Sequence, residues 1–192
     1  MATTQPIRNK QQLRAMAEYY LKLGQFRNYV LIVIGIHTAL RVSDILCLRW
    51  GDVYDFATDR AHVRATVIEH KTGKQKSLAL HKKIVAALSL YASHHPPEKP
   101  EDFVFVSRRK SRAIGRVQAY RIVRAAAEAL KIGRISCHSL RKTFGYHAWK
   151  SGISPAVIME IYNHSNFAVT RRYLGVTQDD KDAVYLGLHL TE

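Results

Sequence analysis

The sequence predicts an α+β fold, mostly helical, carrying a small antiparallel sheet of two to three strands near residues 50–80. Three observations carry this expectation. Apolar residues recur at helical spacing along most of the chain. Alternation of period two is confined to residues 50–80. The hydrophobic fraction is 47% over 192 residues, enough for one domain with a real core. We expect a single domain over residues 1–192, with residues 1–25 as an N-terminal helical extension and residues 177–192 as a C-terminal tail.

Residues 9–23 read as a helix that stops near Gly24, a residue suited to a helix C-terminus. Residues 26–38 form a second helix, apolar enough to be buried on all sides. A short helix follows at 42–48, where Cys47 sits in an apolar run and is expected in the core. Val63, Ala65 and Val67 alternate with polar neighbours, as do Leu78 and Leu80, and Thr72-Gly73 makes the turn between them. Residues 82–94 are helical. Residues 94–102 form a loop with three of the five prolines. Phe103 to Val106 is a short extended piece. Helix 116–130 should bury Val117, Tyr120, Val123, Ala127 and Leu130. Helices also fit 138–150, 154–162 and 166–174, the last burying Phe167, Thr170 and Leu174. Ser154 before Pro155 is a strong helix start. Thr177 with Asp180 resembles a capping box.

Lys and Arg number 30 against 15 Asp and Glu, a net charge of +15 at pH 7. Such an excess points to a polyanion, with nucleic acid first and a membrane surface second. The basic residues cluster near helix starts and turns and form no amphipathic stripe, which favours nucleic acid. Two isolated cysteines, Cys47 and Cys137, make neither a disulfide framework nor a zinc site. The N-terminal residues carry no apolar signal core, and the longest apolar stretch is too short for a membrane span. These features imply a cytoplasmic, nucleoid-associated protein.

Several residues have a chemistry suited to phosphodiesters. His138 and Arg141 are three apart at a helix start and share a face. The free N–H groups of that start already favour phosphate. His164 lies in a polar turn between two apolar helices. Tyr173 follows nine residues later between Arg172 and Leu174, with Arg171 adjacent. Arg41 adjoins the most apolar helix and needs an anionic partner, for which Asp44 is placed. Lys71 stands at the hairpin tip. Taken one at a time, each is as easily a solvated or packing residue.

Jointly, the segments ALRVSDILCLRWGDV (39–53), EHKTGKQKSLAL (69–80), HSLRKTFGYHAW (138–149), NHSN (163–166) and TRRYLG (170–175) resemble the catalytic domain of the tyrosine recombinase, or phage integrase, family. The resemblance covers roughly residues 26–180. It implies an active site of Arg41, Lys71, His138, Arg141, His164 and Tyr173, with Asp44 supporting Arg41. It implies site-specific DNA recombination (integration, excision or inversion) through a 3′-phosphotyrosyl intermediate. Lys74, Arg116, Arg121, Arg124, Lys142, Arg171 and Arg172 are then expected to contact DNA. No cofactor and no metal is expected, since the chemistry conserves the energy of the broken bond and no carboxylate cluster suits a metal. Two positions depart from the family's pattern: Asn163 replaces a usual glycine, and Lys142 a frequent histidine. The usual N-terminal clamp domain is not matched, so a minimal member or a catalytic fragment is expected.

By the same resemblance, the partner is double-stranded DNA, on whose paired sites monomers would assemble as a tetramer, with accessory DNA-binding proteins as further partners. The apolar tail residues Val184, Leu186, Leu188 and Leu190 dock either into a neighbouring subunit or onto their own domain. Two alternative functions share the fold: a catalytically silent DNA-binding regulator, and a type IB topoisomerase-like relaxation of DNA.

Overall fold

A computed structural model describes residues 4–69, 73–107 and 112–187. Lys71 and the turn residue Thr72, like Leu188 and Leu190 of the tail, lie outside the described residues.

Helix α1 (Lys10–Lys22) starts at Asn9, whose side chain accepts from the backbone N–H groups of Gln11 and Gln12. Helix α2 (Phe26–His37) buries every residue from Val30 to Ile36, as its composition requires, and forms the centre of the molecule. It packs against α1, α5 (Lys82–His94), α6 (Arg116–Ala129) and α7 (Cys137–Lys150). Two short helices, α3 (Val42–Leu46) and α4 (Trp50–Val53), follow α2 and deliver the chain to the sheet region. Beyond α7 come α8 (Pro155–Tyr162), α9 (Phe167–Leu174) and α10 (Gln178–Gly187).

The β region is two separate antiparallel hairpins. β1 (Tyr54–Asp55) pairs with β2 (Arg60–Ala61), and β3 (Arg64–Ile68) pairs with β4 (Gln75–Ala79). In β3, Ala65 and Val67 face the core while Arg64, Thr66 and Ile68 face out. Val63 lies before the strand and is exposed. Phe103 and Val106 make only isolated bridges, to Arg49 and Ala113.

Three expectations about burial are corrected. α6 buries Ala119, Ile122, Val123, Ala126 and Ala127, while Val117 and Tyr120 are exposed. The small alanines let α6 lie close to its neighbours, which rotates the buried stripe away from the larger residues. Phe167 is exposed, so α9 buries only Thr170 and Leu174. Cys47 is exposed because α3 stops at Leu46 and the chain turns there.

A main apolar cluster surrounds α2. A smaller one, made of Ala39, Ile158, Tyr162 and Leu174, joins α8 and α9 to the end of α2. Tyr173 packs on this smaller cluster. Gly145 makes the junction of α7 and α8 tight: a Cβ there would stand 2.5 Å from the Tyr162 hydroxyl. The N-terminal segment is stapled over α7. Thr143 Oγ1 accepts from the Ile7 backbone N–H at 2.9 Å, and His147 Nε2 meets the Ile7 carbonyl at 2.9 Å.

Candidate active site

Four separate stretches of chain converge at one place: the start of α3, the turn end of the β3–β4 hairpin, the first turn of α7, and the α8–α9 junction. Each has a local reason to be there.

The break after α2 is set by Thr38, whose hydroxyl bonds back to the Ile34 carbonyl at 2.8 Å. Arg41 then caps α3 in extended conformation, and Asp44 is fully buried one turn later. Arg41 Nη1 lies 4.0 Å from Asp44 Oδ2 and 3.5 Å from Glu69 Oε2.

Glu69 and Lys76 were not foreseen as site residues. Glu69 continues the inward phase of Ala65 and Val67, two residues further on, and is only 3% exposed. Lys76 sits opposite Val67 in the ladder. Its half-buried ammonium donates to the Ile161 carbonyl. Burial lowers its pKa, and Arg141 and Arg41 push in the same direction against Glu69 and Asp44. The strand's alternation carries the signal for both, since Glu69 and Lys76 fall on its inward positions, but their charge disguises it.

α7 opens at Ser136, whose backbone N–H donates to Ser139 Oγ at 3.2 Å, while the Ser139 N–H donates to the Ser136 carbonyl at 2.9 Å. That start places His138 and Arg141 on one face. Arg141 is 4% exposed. It donates to the Ala39 carbonyl, and its Nη2 donates to the Tyr162 carbonyl at 3.2 Å. Its guanidinium lies 4.7 Å from the Tyr162 ring centre and 5.8 Å from that of Tyr173. Among the described residues, Arg141 Nε is buried and has no hydrogen-bond acceptor, while Arg41 Nη1 makes no hydrogen bond but faces the Asp44 and Glu69 carboxylates. A donor in the state of Arg141 Nε favours an added anion.

α8 ends at Asn163, which takes the left-handed conformation at φ 53° and ψ 46°. That conformation suits the glycine usual at this position and is tolerated by asparagine. The turn swings His164 over the Tyr162 ring, with the planes 10° apart and centroids 5.0 Å apart. His164 Nδ1 meets Thr170 Oγ1 at 3.0 Å. Tyr173, partly exposed on α9, then stands 5.1 Å from the His138 ring and 5.0 Å from the His164 ring.

Both imidazoles are shifted towards the neutral form. Burial first, then the Arg141, Arg41 and His138 charges, lowers His164 to about 4. Burial, then Lys142 and Arg141, also lowers His138. Neutral imidazoles can accept a proton or donate one N–H to an oxyanion. Tyr162 is the other aromatic hydroxyl in the pocket. It is fully buried and donates to the Arg141 carbonyl at 2.6 Å, and burial raises its pKa. That phenol is occupied in holding α7.

The expected DNA contacts divide. Lys74, Arg116, Arg121, Arg171 and Arg172 are exposed. Arg124 is partly buried and pairs with Glu128 one turn on. Lys142 is a correction: it is 5% exposed, donates to the Thr4 carbonyl at 2.7 Å, and stands 5.8 Å from the Tyr173 ring. The N-terminal segment folds over α7 and removes Lys142 from the surface.

A helical frame that brings one buried and one partly buried arginine, two histidines of lowered pKa and a partly exposed tyrosine together fits the class of enzymes that break and rejoin DNA through tyrosine. The family model described as "Phage integrase family" matches residues 7–179. The chain is 36% identical over 185 residues to the probable integrase/recombinase YoeC of Bacillus subtilis, covering 96% of this chain and 97% of that one. It is similar in structure to the XerA recombinase, with TM-score 0.79 and 21% identity, over 97% of this chain and 66% of that one. It is also similar to the XerH site-specific recombinase bound to a palindromic difH substrate, with TM-score 0.75 and 18% identity, over 98% of this chain and 55% of that one. The chain thus spans nearly all of YoeC but less than two thirds of the two solved recombinases. It belongs to the phage integrase family of tyrosine recombinases, enzymes of site-specific DNA recombination.

Proposed function

We propose that Tyr173 is the nucleophile that carries the cleaved DNA strand. The observation that carries this reading is the facing of Tyr173 by the imidazoles of His138 and His164, beside the Arg141 guanidinium, whose buried Nε has no acceptor among the described residues. Tyr173 Oη attacks the scissile phosphorus. The Tyr Oη–P bond forms and the P–O5′ bond breaks, leaving a 3′-phosphotyrosyl link and a free 5′-hydroxyl. His138 takes the phenol proton, since attack by the phenolate needs a base to remove it. Arg41 and Arg141 neutralise charge on the nonbridging oxygens, and His164 donates its free N–H there. Asp44 orients Arg41. Lys71, by its place in the family's motif, protonates the leaving 5′-oxygen. Attack by the 5′-hydroxyl of a partner duplex reverses the steps and rejoins the strands.

The substrate is duplex DNA in the cytoplasm, at the nucleoid. The net charge of +15 supports this, as does the DNA-bound state of the similar XerH. The exposed arginines of α6 and α9, with Lys74, contact its backbone. We take residues 1–192 as one catalytic domain. Monomers assemble as a tetramer on paired sites, with accessory DNA-binding proteins as helpers. Val184, Tyr185 and Leu186 on α10 are 61%, 82% and 83% exposed, which suits a tail that docks on a neighbouring subunit.

The test is covalent trapping. A nicked duplex tiled across the DNA flanking the protein's own gene should yield a phosphotyrosyl adduct with the wild-type chain and none with Tyr173→Phe. An adduct in the variant overturns the assignment.

A further inference from the structure

The hairpin and the α8–α9 junction are far apart in sequence, yet one buried carboxylate touches both. Glu69 Oε2 lies 3.5 Å from Arg41 Nη1 and accepts from Asn163 Nδ2 at 3.1 Å. Asn163 is the residue at which this chain departs from the family's usual glycine, and it directly precedes His164. A glycine would supply the left-handed turn but no side chain to reach the hairpin. The asparagine supplies both.

We propose that Glu69 and Asn163 form a positioning pair that sets Arg41 and His164 relative to each other. The proposal rests on the reading of Arg41 and His164 as groups that bind the reacting phosphate. Two features favour this role over simple structural filling. The first is register. Glu69 occupies an inward position at the end of β3, and its backbone is fixed there by N–H donation to the Lys74 carbonyl at 2.9 Å and by acceptance from Gly73 at 2.8 Å. Its carboxylate is therefore anchored by the ladder and is not a wandering surface group. The second is direction. Arg41 reaches Asp44 from its own helix only at 4.0 Å, and Glu69 approaches the same Nη1 from another element. Two carboxylates on one nitrogen restrict the guanidinium to one orientation, and the Asn163 amide restricts the carboxylate in turn. The result is a linkage from β3 through Glu69 to the turn that carries His164. A phosphate bound by Arg41 and His164 then meets both donors at a preset spacing, without rearrangement when charge develops.

The experiment compares wild type, Glu69→Gln, Asn163→Gly and the double variant, as full chains, on the nicked duplex described above. Three quantities are read: the single-turnover rate of adduct formation, the equilibrium DNA affinity and the thermal melting temperature. Glu69→Gln should slow adduct formation by about 10-fold or more while DNA affinity changes by no more than about 2-fold. Asn163→Gly keeps the left-handed turn and should slow it by about 3- to 10-fold. The double variant should be no slower than Glu69→Gln alone, because both changes cut one linkage. A merely structural role predicts a lower melting temperature with an unchanged rate per bound complex, and that result overturns the proposal. So does additive loss in the double variant. Faster cleavage by Glu69→Gln also overturns it, since the carboxylate would then be competing with phosphate for Arg41. If Glu69→Gln does not fold, Asn163→Gly decides alone, and a wild-type rate there overturns the proposal. Failure of the wild type to form an adduct, or success of Tyr173→Phe, sinks the underlying reading and the inference together. A wild-type adduct with unaffected variants sinks the inference only.

Discussion

Tyr162 and Tyr173 share one pocket with ring centres 4.9 Å apart, but their hydroxyls are committed differently. Tyr162 donates to the Arg141 carbonyl and is closed to solvent. Tyr173 is partly open and stands beside His138. Removing each hydroxyl should therefore separate stability from chemistry. Tyr162→Phe should cost about 1 kcal/mol, the usual net worth of a buried hydrogen bond, and leave adduct formation in place. Tyr173→Phe should leave the urea midpoint unchanged and abolish the adduct. The reverse pattern would exchange the two roles.

Arg41 and Arg141 should also differ when cut to alanine. Arg141 holds the carbonyls of Ala39 and Tyr162 from a buried position, so its loss leaves those acceptors unmet. We expect Arg141→Ala to lose roughly 2–4 kcal/mol as well as cleavage. Arg41 keeps a quarter of its side chain exposed and bonds no carbonyl among the described residues. Arg41→Ala should also lose cleavage, but its stability loss has a different origin: it leaves the buried carboxylates of Asp44 and Glu69 without their cation, so adding Asp44→Asn should recover part of it, whereas the same change should recover nothing in Arg141→Ala. Chemical denaturation beside the trapping assay checks both, and equal recovery in the two backgrounds would contradict the distinction.

Acid should weaken the fold through the histidines. His164 is held at about 4 in the folded chain, below the ordinary imidazole value near 6.5, because burial and the arginines disfavour its charge. The unfolded chain then binds more protons between those values. Stability from this group is complete above about 6.5 and is lost as pH falls towards about 4. His138 and His37 shift in the same direction. His164→Asn should reduce the fall in urea midpoint between neutral pH and pH 5 without removing it. An unchanged slope would mean that His164 is not held neutral.

Gly145→Ala tests the junction of α7 and α8. The new Cβ would meet the Tyr162 ring at 2.9 Å and its hydroxyl at 2.5 Å. Overpacking there should cost about 1–3 kcal/mol and displace Tyr162 from the Arg141 carbonyl. The melting temperature should fall and the adduct form more slowly. A neutral outcome would show that α8 moves aside freely.

Duplex binding should fall steeply with salt, because it rests on exchange of counterions for Lys and Arg. Reversing the charge of the exposed pair Arg116 and Arg121 should flatten the slope of log affinity against log salt by about 2. Titration by fluorescence anisotropy measures it. An unaltered slope would remove α6 from the DNA footprint.

The helices were legible in the sequence because each carries its own period and its own end signals. Ser154 before Pro155 and Gly24 mark boundaries that the structure reproduces within a residue or two. The reciprocal cap of Thr177 and Asp180 is formed as their spacing implies. The order of Arg41, His138, Arg141, His164 and Tyr173 was readable through the resemblance to the tyrosine recombinase family, since each of these residues taken singly reads as easily as a solvated or packing group. α6 was misread because periodicity locates a helix but not its rotation, and alanines leave several faces equally plausible.

What the sequence by itself determined is the set of candidate site side chains and the helical frame that carries them. The tertiary structure decided which groups surround them. Glu69, Lys76 and Asn163 joined the site, Lys142 left the surface, and Tyr162 was separated from Tyr173. Each of these outcomes depends on contacts between residues distant in the chain, from the 21-residue step between Arg141 and Tyr162 to the 138-residue step between Lys142 and Thr4. Local spacing cannot specify such contacts. They follow from how the buried faces of α2, α7 and α8 pack, and packing depends on the shape of the whole core.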